Sequence, residues 1–529
     1  MSQKPIPVFF RDVIESTINM KIHSLWIKVP AVFVISTIAV IIASKVFPVG
    51  ETDAGAPLPE FTAHLDQRVP EIMYDYAIPG LSIALIENGE TVWKQAYGYA
   101  DVEAGRKMTV DTYCRLESIS KSVTAWGVMK LIEQGAVDPD APVQQYLSSW
   151  ELPETEFEES QVTVRRLLSG SAGMPLGTIG VRYAPDETGI PSLEDRLAED
   201  AVLFKQPGGT FYYSNAGFNV LELLIEEVTG RDFTEYMQQE VLNPLGMTAS
   251  SFDWSPDFDP PVANGYNNRG AAIPVYIYPD KAAGGLFGPL DEVARFASAG
   301  MTGFNLRGAA ILRPETVEKM YIPESAMSGY YRFVFDGYGL GHFVEFLPGP
   351  EKPVKAVSHG GQGSGWMTDF HIIPESGDGI VILSNSQRTW PGFAYILSDW
   401  AVWNGFDSIG MGFIITVQKI TWITIGLVLA LLFLQGCRIV ESLLTGNHRF
   451  ALRSRGAPNS RQGRLLRITQ AGSGILLAAA FIWIMSLDYW FIDSVLPIAT
   501  HWINALLLAA ALVLAASALC PHSARNAKS

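Results

Sequence analysis

Tyr113-Cys114-Arg115-Leu116-Glu117-Ser118-Ile119-Ser120-Lys121 runs without a break into residues 122–134. There Val123, Ala125, Trp126, Val128, Met129, Leu131 and Ile132 leave few polar positions. The pattern predicts a helix over 118–134, buried on nearly every side, with Gly135 as its C-terminal stop. Ser118 and Lys121 stand three residues apart, so they share one helical face, with Cβ atoms roughly 5–6 Å apart. A serine hydroxyl is a weak nucleophile until a base stands beside it. A lysine drawn into apolar surroundings loses affinity for its proton, because burial disfavours the charged form. The helix start also aims free N–H groups at developing negative charge. S-x-x-K occurs by chance about once or twice in a chain this long. Alone it reads as a surface Ser and Lys; the apolar helix behind it pulls the pair inward.

Outward from this helix, Gly80 to Tyr97 reads as two strands joined at Asn88-Gly89, a hairpin signal. Phe218 to Val228 reads as an apolar helix stopped by Gly230. Lys355–Ser358, Met367–Ile373 and Gly379–Ser384 read as short strands with a turn at Gly377-Asp378-Gly379, and Phe393 to Trp403 as a closing helix. Strands at both ends with helices between them predict an α+β sandwich, its antiparallel sheet assembled from the two ends of the domain. Two further clusters carry chemistry. Tyr213-Ser214-Asn215 follows Pro207-Gly208-Gly209: a tyrosine beside a cation can shuttle protons, and an Asn amide can bind a carbonyl, although the same triplet also serves as a turn capping the next helix. His359-Gly360-Gly361-Gln362-Gly363 ends a strand. Its glycines leave room for a substrate, and N–H groups there can hold an oxyanion. Read alone, it is an ordinary turn beside a structural histidine.

The mean hydropathy of +0.17 is high for a soluble chain. Leu25 to Phe47 is apolar enough to span a bilayer core, which takes roughly 20 residues. We expect it to be an uncleaved anchor, because the small-residue site Ala54-Gly55-Ala56 is followed by Pro57. Three more apolar runs, near Ile420–Gly436, Ala471–Leu487 and Val495–Cys520, close the chain. The expected organisation is a cytoplasmic arm at 1–24, an anchor at 25–47, a catalytic domain at 60–405, three spans within 412–520, and a tail at 521–529. The segment 437–470 carries seven arginines against Glu441, and the arm and tail are also net basic, so all three are expected on the cytoplasmic side. With that positive charge set apart, residues 29–418 are more acidic than the whole-chain value of −16. Such a surface excludes nucleic acid and polyanions as expected partners. Three cysteines build no disulfide framework, and Cys114 is expected as a small buried apolar residue. No Cys–His cluster has metal-ligand spacing, so neither metal nor cofactor is expected.

Together and in order, these motifs resemble the serine beta-lactamase and penicillin-binding-protein superfamily, in particular its class C-related serine hydrolases, the S12 peptidases. Leu167-Leu-Ser-Gly-Ser-Ala-Gly-Met-Pro175, Pro244-Leu-Gly-Met247, Ala263-Asn-Gly-Tyr266, Ala283-Gly-Gly-Leu286 and Ser358-His-Gly-Gly361 add to the likeness, which extends over about residues 60–400. The resemblance implies a beta-lactamase/transpeptidase-like α+β fold. It implies Ser118 as the acylated nucleophile, Lys121 and Tyr213 sharing its activation, and Asn215 orienting the substrate and Lys121. His359-Gly360-Gly361 would replace a Lys-Thr-Gly motif, and the N–H groups of Ser118 and Gln362 would form the oxyanion hole. The lost lysine and threonine point away from penicillins toward the esterase and D-amino-acid peptidase members. The C-terminal spans resemble those of membrane peptidases that trim N-acyl-D-amino-acid caps from prodrugs.

The expected partners are a small-molecule or peptide substrate and membrane lipid through four helices, with a homodimer left open. Competing readings are a beta-lactamase, a penicillin-binding sensor, a transporter and an inactive scaffold. The Arg-rich segment has no room for a signalling domain, the C-terminal spans hold few ionisable residues, and Ser118, Lys121 and Tyr213 occur together.

Overall fold

The computed structural model describes residue 37 and residues 52–177, 181–304, 308–349, 352–444, 461–487 and 491–519. The expected anchor at 25–47 lies outside the described residues apart from Thr37. The chain divides into two compact units, Phe47–Ile415 and a second one that takes in Thr416–Ser529.

The first unit is built on a nine-stranded antiparallel sheet. Its strands are β1 (Gly80–Glu87), β2 (Glu90–Asp101), β3 (Arg106–Lys107), β4 (Ser325–Ala326), β5 (Gly337–Tyr338), β6 (Phe343–Leu347), β7 (Val354–Gln362), β8 (Met367–Ile373) and β9 (Asp378–Ser384). Their spatial order is β3-β2-β1-β9-β8-β7-β6-β5-β4. The first strand therefore pairs with the last, Ile83 opposite Ile382, so the sheet is assembled from both ends of the domain as expected. The hairpin turns at Asn88 (φ 50°) and Gly89 (φ 72°), the left-handed pair that a two-residue turn requires.

The main helices are α1 (Leu58–Tyr76), α2 (Ile119–Glu133), α3 (Asn215–Thr229), α4 (Leu290–Ala299) and α5 (Trp390–Trp403). Successive residues on β8 face opposite layers. Phe370 meets Phe296 of α4 at 5.7 Å between ring centroids, and Phe296 in turn meets Trp126 of α2. His371 meets Trp400 of α5, and Phe61 of α1 stacks on Trp403 at 4.3 Å. The sheet is thus covered on one side by α4 and α2 and on the other by α5 and α1. Helix α2 is buried from Ile119 through Met129, so its hydrophobicity is not confined to one stripe. Cys114 is fully buried, and burial pushes its thiol up to about 12.

Among the described residues, three helices are long and apolar enough to cross a membrane, over Gly412–Val440, Leu465–Ser486 and Ala499–Leu519, nearly all of them within the second unit. They are the spanning parts of α6 (Gly412–Leu444), α7 (Arg461–Ser486) and α8 (Ala499–Leu519). Trp422 of α6 meets Trp502 of α8 at 6.3 Å, and a Cβ on Gly474 of α7 would stand 3.1 Å from the carbonyl of Ala511 on α8. The segment expected to be a loop over 437–470 is helical at both ends. Residues 437–444 continue α6, and Arg461, Arg464 and Arg467 open α7. A long, mostly apolar helix propagates through isolated charges at its ends, since those side chains can reach out to water. Residues 445–460 lie outside the described part.

Candidate active site

Helix α2 begins just past Ser118, whose backbone is already helical at φ −68°, ψ −5°. The turn is closed by Ile119 N–H donating to the Leu116 carbonyl and Lys121 N–H donating to the Ser118 carbonyl. Because α2 is buried all round, Lys121 is carried inside, 1% exposed, while Ser118 stays half-buried at the edge. The Lys121 ammonium meets three acceptors: Ser118 Oγ at 3.1 Å, Asn215 Oδ1 at 2.8 Å and the Ala283 carbonyl at 2.7 Å. Desolvation lowers its pKa to about 7, against an opposing pull from the Glu117 and Asp280 carboxylates.

Asn215 opens α3, and the residue before it, Ser214, caps that helix by accepting from Gly217 N–H at 2.8 Å. Tyr213-Ser214-Asn215 thus caps α3 and also borders the Ser118 hydroxyl. Tyr213 hydrogen-bonds with Ser118, and desolvation pushes its phenol above the ordinary value. Its ring lies 4.9 Å from Lys121 Nζ and stacks on Tyr331 and Phe343.

The Ala283 carbonyl is held from two sides. Glu222 of α3 accepts from Lys281 and Ala282 N–H at 2.6 Å each. On the α2 side, Thr124 donates to the Ala282 carbonyl and Ser120 Oγ accepts from Leu286 N–H. The segment 281–286 is thereby fixed, and with it one of the three partners of Lys121.

His359, Gly360, Gly361 and Gln362 end β7. His359 is fully buried, and both ring nitrogens are occupied: Nε2 pairs with Tyr338 Oη at 3.3 Å and Nδ1 with the Gly360 carbonyl at 2.9 Å. Burial, reinforced by Lys121, pushes its pKa well below 6.5, so the ring is neutral. At Gly361 the space a side chain would take is already filled. A Cβ on Gly361 would collide with the Leu116 carbonyl and Thr368 Oγ1, and one on Gly360 would stand 3.3 Å from Asp369 Oδ2. These glycines let β7 lie directly against the backbone that precedes Ser118. The Gln362 side chain accepts from Trp390 Nε1 at 3.1 Å.

The network around Glu117, beside Ser118, was not anticipated from the sequence. Glu117 receives Arg115 Nε at 2.8 Å and Tyr276 Oη at 3.0 Å on Oε1, and Tyr278 Oη at 3.3 Å on Oε2. The available signal was a carboxylate flanked by Leu116 and Ile119, directly before S-x-x-K and two residues from Arg115. Among the described residues no group of His, Cys, Asp and Glu is arranged to hold a metal ion.

An antiparallel sheet with its helices and a Ser-Lys-Tyr cluster at a helix start define the penicillin-binding-protein and beta-lactamase class of fold. The chain belongs to the Beta-lactamase family, whose profile matches residues 65–396. It is 28% identical over 216 residues to "Protein flp" of Staphylococcus aureus (strain N315), covering 41% of this chain and 43% of that protein. It is 26% identical over 345 residues to "Putative beta-lactamase-like 1" of Homo sapiens, covering 63% of this chain and 67% of that protein. The octameric penicillin-binding protein homologue from Pyrococcus abyssi superposes with a TM-score of 0.55 at 28% identity, over 65% of this chain and 77% of that one. The chain thus spans less than half the length of the staphylococcal relatives it matches.

Proposed function

We propose that this chain is a membrane-anchored serine hydrolase that forms an acyl-enzyme on Ser118 and acts outside the cytoplasm on a neutral ester or on an N-acyl-D-amino-acid amide. The observation that carries the reading is the position of Lys121 Nζ between Ser118 Oγ, Asn215 Oδ1 and the Ala283 carbonyl. A neutral amine has two N–H groups and one lone pair. Asn215 and Ala283 take the two N–H groups, which leaves the lone pair for the Ser118 proton. Ser118 Oγ then bonds to the substrate carbonyl carbon as its proton passes to Lys121. The oxyanion lies at the start of α2, where the N–H groups of Ser118 and Gln362 would receive it. Tyr213, kept protonated, gives its proton to the leaving group as the C–O or C–N bond breaks, and recovers one from Lys121. Water, activated by the same groups, then hydrolyses the acyl-serine.

His359 supports the reading of a neutral substrate. It is uncharged and both its nitrogens are engaged, so it offers a carboxylate nothing. The aromatic rings of Tyr213, Tyr331 and Phe343 beside it present an apolar wall. In one enzyme preparation, kcat/KM for a p-nitrophenyl ester or a D-amino-acid amide is expected to exceed that for a cephalosporin. A cephalosporin preferred tenfold or more, about 1.4 kcal/mol of transition-state binding, returns the protein to beta-lactamase chemistry.

Three apolar helices support membrane attachment. The orientation rests on positive charge in the arm, the 437–470 segment and the tail. A reporter active only in the cytoplasm is expected to work when fused after Arg455 and to be silent when inserted near Asp53. The opposite pattern reverses the topology and the proposed compartment.

A further inference from the structure

Glu117 carries a backbone φ of 49°, a left-handed conformation that a side chain with a Cβ rarely adopts. Such a conformation persists only where its surroundings over-determine it. Here they do: the carboxylate is 2% exposed and holds Arg115, Tyr276 and Tyr278. Arg115 is itself fixed by donating to the Tyr276 and Gly284 carbonyls. The network continues beyond Tyr276. While its hydroxyl donates to Glu117, the same oxygen accepts Ser364 N–H at 2.9 Å. Ser364 lies two residues past the end of β7, and a Cβ on the intervening Gly363 would collide with the Glu117 carboxylate. One side chain thus ties the residue before Ser118 to the segment that follows Gln362.

We propose that Glu117 is a positioning residue: through Tyr276 it locks the turn bearing Ser118 to the 363–364 segment, and so fixes the spacing between the nucleophile and the far side of the oxyanion hole. This rests on the hydrolase reading above and adds to it the device that holds the two halves of the site in register. An oxyanion hole acts through preorganised donors, so loosening their spacing weakens transition-state stabilisation more than substrate binding.

The test uses the full chain in detergent. Tyr276→Phe removes the links of that hydroxyl to Glu117 and Ser364, together with its contact with Tyr278, and keeps the ring packed on Trp366. It is expected to lower kcat for a p-nitrophenyl ester and the rate of fluorophosphonate labelling together, by about tenfold or more, with KM within about twofold and one probe still bound per chain. Glu117→Gln is expected to do the same. It also removes the carboxylate charge that raises the Lys121 pKa, so the acid limb of its pH–rate profile moves to lower pH, whereas that of Tyr276→Phe stays. A Tyr276→Phe enzyme working at full rate overturns the proposal. So does a loss confined to KM, or a loss that reflects only fewer labelled molecules, each turning over normally. An unmoved acid limb in Glu117→Gln likewise counts against it. Ser118→Ala, run in parallel, separates the two readings. Labelling that persists there sinks the serine assignment, whereas a dead Ser118→Ala beside a full-rate Tyr276→Phe sinks only the clamp.

Discussion

Ser118→Ala is expected to abolish fluorophosphonate labelling and to cut ester hydrolysis to a small residual rate, while leaving the melting temperature and the circular dichroism of the protein unchanged. Labelling is lost because no neighbouring serine can substitute. Ser120 and Ser122 lie within four residues but are fully buried, the first accepting from Leu286 N–H and the second donating to the Gly341 carbonyl. Ser214 is committed to capping α3. The fold survives because the deleted oxygen sits at a half-exposed edge, and Lys121 keeps Asn215 and Ala283 as partners. Binding and the oxyanion donors can leave a residual rate over water of about 10³-fold in a serine hydrolase that has lost its nucleophile. Covalent labelling is therefore the more decisive readout. A labelled alanine variant would place the nucleophile elsewhere.

The parts of the fold that could be read in advance are those where local chemistry and tertiary placement agree. Asn88-Gly89 specifies its own turn, and β9 is an apolar run buried on both faces that follows the turn at Gly377. Helix α2 was legible because its apolar residues leave only one environment that suits them. What escaped has physical causes. Helix α1 carries Pro59 and Pro70, which argue against a helix. Pro59 falls in the first turn, where no N–H is needed, and the buried stripe Phe61, Leu65, Val69, Ile72, Met73 and Tyr76 outweighs Pro70. Strands β3, β4 and β5 have two residues each, too few to show a period. In β6 the polar Glu345 is buried and Phe346 exposed, so the alternation that marks a half-buried strand is inverted at that point.

The same division runs through the site. Ser118 and Lys121 are neighbours through a three-residue helical spacing, which sequence shows directly. Asn215, Ala283 and Tyr276 reach the cluster from 94, 162 and 159 residues away in the chain, and no local pattern announces that. The glycines of β7 could be located but not explained. Their reason is the close approach of Leu116 and Thr368, which only the folded chain supplies. His359, a structural histidine when read alone, is held by Tyr338 and the Gly360 carbonyl, the first from a strand too short to recognise.

Lys121→Ala is expected to slow acylation by at least about a hundredfold, the scale of a lost general base, or about 2.7 kcal/mol. Its wild-type counterpart should show why. A lysine base would act only when neutral, and desolvation lowers the Lys121 pKa to about 7. As pH falls through that value the amine gains a proton and loses its lone pair, so kcat/KM should drop about tenfold per unit on the acid side and level off above it. Tyr213 cannot take this role near neutral pH. Desolvation holds its phenol above the ordinary value, so it stays protonated and is suited to donate. Tyr213→Phe is accordingly expected to slow turnover more than binding while the acid limb remains near 7. Lys121→Arg provides the sharper discrimination. Arginine fills much of the same space and keeps a positive charge, but it does not deprotonate in a protein. If Lys121 is a base, the arginine variant should be as slow as the alanine one. If Lys121 acts instead as a fixed cation, the arginine variant should keep much of its rate, and wild-type activity should decline, not rise, as pH increases through 7. The direction of that single limb decides between the two chemistries at the Ser118 hydroxyl.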